Sequence, residues 1–177
     1  MQRIDSIFCN QLVKAHLFQG KTNHCGPYSA AIVLKAFDKP VDIDLLAKSA
    51  IGWKRNKFIP IFRRIPNWAT FPWGVADILQ ENGFPALWRM LTPKQRLIEC
   101  LLQDIIVIVI TGNYFPLWAH YSILVSISEG MVGLVDPANQ ETAISWLTKQ
   151  EFMKRWSKPG RIIIEVSPKT SSSPQRQ

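Results

Sequence analysis

The 177-residue chain predicts an α+β domain, with helices in its first half and an antiparallel sheet in its second. Three observations carry this expectation. Apolar patterns at helical spacing, with start or stop signals, occur over residues 25–37, 42–50, 74–82 and 93–103. From residue 105 the texture changes to short runs rich in Ile and Val. Two of these runs flank Ser128-Glu129-Gly130, a spacing that reads as a β-hairpin.

Residues 1–18 mix apolar and polar positions without a decisive period and receive no assignment. Cys25 to Phe37 reads as a helix, with Thr22 or Asn23 near its cap and Pro27 in its first turn. Asp38 to Val41 is a turn. Asp42 or Asp44 then opens a second helix to about Ala50, ended by Gly52. Residues 53–73 differ in character: WKRNKFIPIFRRIPNWATFPW. Prolines 60, 66 and 72 forbid a long helix there, and aromatic and basic residues alternate, so an irregular, surface-lying excursion is expected.

A short helix resumes from Gly74 to Asn82, closed by Gly83, and Pro85 to Leu91 is a strand. Thr92 is placed to cap a helix from Pro93 to about Gln103. Ile105 to Thr111 is a continuous apolar run, as in a central buried strand. Ala119 to Ile127 and Met131 to Val135 form the hairpin, and Thr142 to Trp146 is a further strand. Thr148 starts a helix through Trp156, and Arg161 to Val166 is the last strand. The tail is rich in Ser, Pro, Lys and Gln and reads as disordered, which leaves one domain over residues 1–167 and a tail over 168–177.

Composition is globular, with 47% hydrophobic residues and 19% charged. No apolar run is long enough to span a membrane, and no apolar signal core follows the N-terminus. Three cysteines, odd in number and without metal-type spacing, point to a reduced, cytoplasmic-type chain with no metal site and no cofactor. The net charge of +8 would suit nucleic acid, but the excess is local. Between Asp44 and Asp77 there is no acidic residue, while Lys48, Lys54, Arg55, Lys57, Arg63 and Arg64 are present. One basic, solvated face explains this better than a nucleic-acid site; its aromatic residues leave partner docking or a lid as a second reading.

The chemistry centres on residues 19–37, QGKTNHCGPYSAAIVLKAF. Cys25 stands where a polar loop enters a helix, so open backbone N–H groups and the helix dipole favour its thiolate. Gln19, on the far side of a flexible turn, can aim an amide N–H at the same spot. Of the three histidines, His16 lies in the unassigned segment and His24 is expected to point away. His120 opens a strand at a sheet edge, where function tends to sit. A three-residue turn centred on Glu129 would place His120 opposite Ala138, with Asp136 its diagonal neighbour about 7–8 Å away between Cα atoms. Asp136 would then orient the imidazole while its other nitrogen faces Cys25. A two-residue turn would instead put Asn139 opposite His120.

Gln19, five residues, then Cys25-Gly26-Pro27; later His120-Tyr121 on an apolar strand; then Asp136-Pro137-Ala138: this order resembles the bacteriocin-processing, double-glycine leader peptidases of the papain-like superfamily. The stretch ISWLTKQEFMKRWSKPGRIIIEV is similar to that family as well, and the resemblance spans roughly residues 15–166. It implies a papain-like fold, a helical half packed on an antiparallel β-sheet. It implies Cys25 as nucleophile, His120 as general base and acid, Asp136 as its orienter, and Gln19 with the Cys25 N–H as the oxyanion hole. The implied partner is a peptide or protein substrate, such as a leader peptide, with association to a membrane exporter as a further expectation. The chain carries no transmembrane span and no ATPase motif of its own, and its basic stretch 53–73 is longer than the family leads one to expect. Transfer of the acyl or peptidyl group to an amine, an amidase-type toxin activity, and a non-catalytic peptide-binding role are the competing readings. Cys9 and Cys100 read as small apolar packing residues. Most tryptophans read as packing too, Trp118 being the one expected to line a cleft.

Overall fold

The apolar run that follows Asp104 forms the inner strand of a sheet covered on both faces. The structure, a computed structural model, describes residues 3–49, 53–56, 59–65, 68–114, 117–140 and 144–168. Along the chain, β1 (Ile4–Asp5) and α1 (Cys9–Lys14) precede α2 (Cys25–Ala36) and α3 (Ile43–Ser49). Two small ribbons follow, β2 (Trp53–Asn56) with β3 (Ile59–Phe62), and β4 (Arg64–Ile65) with β5 (Ala69–Thr70). Next come α4 (Pro72–Glu81), β6 (Ala86–Arg89), α5 (Lys94–Leu102), β7 (Ile106–Tyr114) and β8 (Leu117–Ile127). The chain closes with β9 (Met131–Val135), β10 (Ser145–Thr148), α6 (Lys149–Ser157) and β11 (Ile163–Val166). The main sheet has the order β10-β9-β8-β7-β11-β6, with β1 added beside β8 and every pair antiparallel.

Alternation along β7 explains its unbroken hydrophobicity. Ile106, Ile108 and Ile110 pack beneath α1, α2 and α4, together with Tyr121, Ile123 and Val125 of β8. Val107 and Val109 face the other way, against Leu97 and Cys100 of α5 and Phe152 and Trp156 of α6. Each such fully buried side chain contributes roughly 1.5–3 kcal/mol of transfer free energy. The predicted helical half therefore covers one face of the sheet, and α5 and α6 cover the other. Helix α2 is buried along most of its length, from Gly26 to Leu34, which fixes the position of its N-terminal residue Cys25.

Several local expectations are corrected. The N-cap of α2 is His24 rather than Thr22 or Asn23, and no side chain caps that end. Pro93, not Thr92, is the N-cap of α5, and the Thr92 hydroxyl is buried without a partner. Thr148 does cap α6, accepting the Glu151 N–H at 3.2 Å. Asp42 opens α3 by accepting from the Leu45 N–H at 3.0 Å. The described residues of 53–73 are not irregular: they hold the two small ribbons and the first two residues of α4. Pro60 is tolerated because a two-stranded ribbon has only edges, and Pro72 is the first residue of α4, where its missing N–H costs nothing. The strand expected over Thr142 to Trp146 begins at Ser145, while Thr142 and Ala143 lie outside the described residues. Gly52, Pro66 and the tail from 169 lie outside them as well.

The basic run is not one solvated face. Arg63 is largely buried and pairs with Glu81 at 2.6 Å, with Asp77 at 4.0 Å. Arg64 is buried among the core residues. Trp73 donates to the Phe62 carbonyl at 2.8 Å and stacks on Phe71, so the end of the excursion is tied down against α4.

The hairpin of β8 and β9 reaches the expected register by an unexpected route. Ser128 N–H donates to the Met131 carbonyl at 2.9 Å, so Glu129 and Gly130 make a two-residue turn. Near the turn Ser126 pairs with Gly133, but beyond a bulge at Val125 Leu124 pairs with Leu134 and Ile123 with Val135. The bulge restores the register that a three-residue turn would have given.

Candidate active site

Three elements converge at one end of α2. The helix presents Cys25 as its first residue, β8 carries His120, and Asp136 follows directly on β9. Because no side chain caps α2, its first N–H groups stay open. The N–H groups of Gly26 and Tyr121 both donate to the Cys25 sulfur. Gly26 matters for space as well: a Cβ there would stand 2.9 Å from Val75 Cγ2 and 3.1 Å from Thr70 Cβ. A larger residue would push the helix end, and Cys25 with it, away from β5.

His120 Nε2 donates to Asp136 Oδ1 at 2.5 Å, and both side chains are largely buried. That bond occupies Nε2 and leaves Nδ1 for Cys25, to which His120 is hydrogen-bonded. Asp136 Oδ1 also accepts the Ala138 N–H at 2.8 Å, which holds the carboxylate in place. Asn139, the other candidate orienter, gives its side-chain amide to Ser145 Oγ at 3.0 Å.

The electrostatics follow from these contacts. Burial pushes the Cys25 thiol up, but His120 and the two backbone N–H groups outweigh it and hold the thiol below its ordinary value. Burial works against the His120 imidazolium; Asp136 first, and Cys25 second, raise its pKa to about 9. Burial also opposes the Asp136 carboxylate, and the His120 bond outweighs that, keeping it below the usual carboxylate range. The arrangement favours a thiolate–imidazolium pair, whose proton losses belong to the pair as a whole.

Gln19 occupies a tight turn with Gly20 at φ +63°. Its Nε2 donates to the Thr22 carbonyl at 3.2 Å, and Thr22 Oγ1 donates back to the Gln19 carbonyl at 2.8 Å. The Gln19 backbone N–H donates to the Pro137 carbonyl at 2.8 Å, so the Gln19 loop and the Asp136 loop are joined. His16 makes the second join: its Nε2 donates to the Asp136 carbonyl at 2.8 Å. Sequence reading missed this residue, since β1 and α1 are too short to show a period and the contact spans 120 positions. Trp118 lies on β8 and is 36% exposed. Among the described residues no cluster of His, Cys, Asp and Glu is placed to hold a metal ion.

The sequence matches no family model and no curated protein. Its fold, in contrast, has counterparts among solved structures. A C39-like peptidase from Bacillus anthracis superposes with a TM-score of 0.70 over 96% of this chain and 100% of its own, at 14% identity. The peptidase domain of Streptococcus ComA, a bifunctional ABC transporter, gives 0.60 over 86% and 96%, at 17% identity. This chain has the papain-like fold of the C39 peptidases. A double-glycine-motif protease from an AMS/PCAT transporter, solved with its leader peptide, gives 0.58 over 86% and 90%, at 17% identity. On this C39 fold the Cys25 end of α2 meets β8 near His120, on an inner strand of the sheet rather than at the expected sheet edge. Among the described residues no helix is long and apolar enough to cross a membrane.

Proposed function

We propose that this chain is a cysteine peptidase that hydrolyses a peptide bond through Cys25, His120 and Asp136. The observation that carries the reading is the hydrogen-bonded series from the Cys25 sulfur through His120 to Asp136, set on a C39 fold. The Cys25 thiolate attacks the carbonyl carbon, and the electron pair of the C=O bond moves to oxygen. The Cys25 N–H and the Gln19 amide stabilise that oxyanion; one Gln19 N–H is held by Thr22 and the second is left to donate. His120 gives its proton to the departing amine, leaving an acyl thioester on Cys25. His120 then removes a proton from water, whose oxygen adds to the thioester carbon; the C–S bond breaks, the carboxylic acid half of the peptide leaves, and Cys25 is again a thiolate beside the protonated His120.

The proposed substrates are peptides with a double-glycine leader, by analogy with the leader-bound protease of the same fold. Since the nucleophile must stay a free thiol, the proposed setting is the reducing cytoplasm, with an exporter as the acceptor of the product. Incubation of the full chain with leader peptides that end in Gly-Gly before the scissile bond tests the reading by mass. Two fragments, together one water heavier than the peptide, are expected. A product in which the acyl half is joined to an added amine would make the chain a transferase, and an intact peptide after prolonged incubation would remove the leader-peptidase reading. In the same assay Gln19→Ala should lower kcat by about 10²–10³, the cost of one oxyanion donor, with KM little changed.

A further inference from the structure

Arg64 is only 1% exposed and ranks among the largest fully buried side chains. It stands on β4 opposite Thr70 of β5, and its Nη1 donates to the Thr70 hydroxyl at 3.3 Å. Its Nε is buried without a hydrogen-bond partner. Among the described residues no carboxylate forms an ion pair with this guanidinium; Glu81 and Asp77 lie with the neighbouring Arg63, at 2.6 and 4.0 Å. A guanidinium does not lose its proton inside a protein, so the positive charge is permanent. An uncompensated buried charge is costly, and it needs an anion.

The surroundings of Thr70 indicate which anion. The Thr70 side chain lies against Gly26, the residue after Cys25: a Cβ at Gly26 would stand 3.1 Å from Thr70 Cβ and 3.5 Å from Thr70 Oγ1. The Thr70 carbonyl accepts the Tyr121 hydroxyl at 2.6 Å, and the Tyr121 N–H reaches the sulfur. Arg64 is therefore joined through Thr70 to both residues that donate N–H groups to Cys25. We propose that Arg64 is an electrostatic positioning residue, a second counter-charge that holds Cys25 as a thiolate alongside His120.

Burial lowers the Arg64 pKa, and the charge of Cys25 acts in the opposite direction, as a counter-charge must. Other groups around the sulfur are accounted for. His120 and Tyr121 approach it from β8, with Asp136 and His16 behind His120. His24, at the helix's own N-cap, is kept below its ordinary pKa by burial and then by Arg64, against Asp44. None of these supplies a negative charge to Arg64 in place of Cys25: Tyr121 is held well above its usual pKa, and Asp136 is committed to His120.

The inference rests on the proposed peptidase reading only in taking Cys25 as the nucleophile, and its test needs no substrate. The rate of iodoacetamide labelling of Cys25, followed by mass, is measured across pH for the wild type, Arg64→Gln, Arg64→Lys, His120→Ala and the double variant His120→Ala/Arg64→Gln. Loss of the charge should move the acid limb of the profile upward by about half to one pH unit, so labelling at a fixed pH on that limb slows about three- to tenfold. Lysine should restore most of it, which a merely structural role would not predict. The double variant should lie above His120→Ala by a similar half to one pH unit, since the Gly26 and Tyr121 N–H groups act on the sulfur in both. An Arg64→Gln profile that superimposes on the wild type overturns the proposal. Should that variant not fold, Arg64→Met, a neutral side chain of similar length, takes its place and is held to the same two outcomes. A His120→Ala profile identical to the wild type would sink the Cys25–His120 pairing, and so the peptidase reading, while leaving the Arg64 comparison intact.

Discussion

Cys25→Ala is expected to leave no measurable turnover of a double-glycine leader peptide, a loss on the order of 10⁶ if the catalytic set acts as a unit. Nothing else in the site can replace the sulfur. Cys100 is fully buried on the opposite face of the sheet, its thiol pushed up to about 11 by burial and by Glu165. Cys9 is half-buried and raised as well, by burial and then by Asp5. The variant should remain folded, because α2 is anchored by Ala30 to Leu34 rather than by its first residue. A second readout is independent of turnover: without the sulfur the His120 imidazolium loses one of the groups that offset its burial, so its midpoint should fall below about 9. An NMR titration of His120 measures that fall. Retention of full activity by pure Cys25→Ala protein would end the proposed mechanism.

His120→Ala carries the second-largest expected effect. It removes the proton donor to the leaving amine, a contribution of about 10²–10⁴ in rate, and also a partner that favours the thiolate. In the wild type, the rate should rise as the Cys25 thiol ionises, below the ordinary thiol range, and decline as the imidazolium loses its proton near pH 9. The alkaline decline should vanish in His120→Ala. Stability has a matching sign. A folded-state pKa raised to about 9 means that the stability contributed by His120 is complete below its unfolded pKa of roughly 6.5 and is lost as the pH rises through 9. The lowered Asp136 pKa works in the other direction: its contribution is present above roughly 3.9 and is lost as the pH falls through the folded value. Melting temperatures of wild type and His120→Ala should thus differ most between these limits and converge above pH 9. A constant difference up to pH 10 would contradict the pairing.

Much of this architecture was legible locally. Helices α2 and α6 and strands β7, β8 and β9 follow from apolar spacing, because burial imposes a period on neighbouring residues. Cys25 was legible from its place at a loop-to-helix junction, and His120 and Asp136 from strand parity. The misses share a cause: each depends on contacts distant in sequence. Arg64 reads as solvated because charged residues usually are, and only the packing of β4 and β5 against α2 buries it. His16 gains its partner from a loop 120 positions away in sequence. Thr22 and Asn23 are good capping residues, yet the turn 19–22 spends the Thr22 hydroxyl on the Gln19 carbonyl and leaves His24 at the cap.

The bulge at Val125 gives the hairpin a property of its own. One residue is added on β8 while one is absent from the turn, and the two changes cancel before the strands reach His120 and Asp136. The tip is thus mechanically insulated from the reacting groups. Deleting Val125 would leave Ser126 against Gly133 and Leu124 against Leu134 as a regular two-residue hairpin, and a residue added between Ser128 and Met131 would only widen the turn. Either edit keeps Ile123 opposite Val135, the pair from which the chain runs on to Asp136. Sequence drift at the tip is therefore free to change the bulge or the turn, and what is barred is a one-residue slip of the pairing itself, which would turn the Asp136 carboxylate to the opposite face.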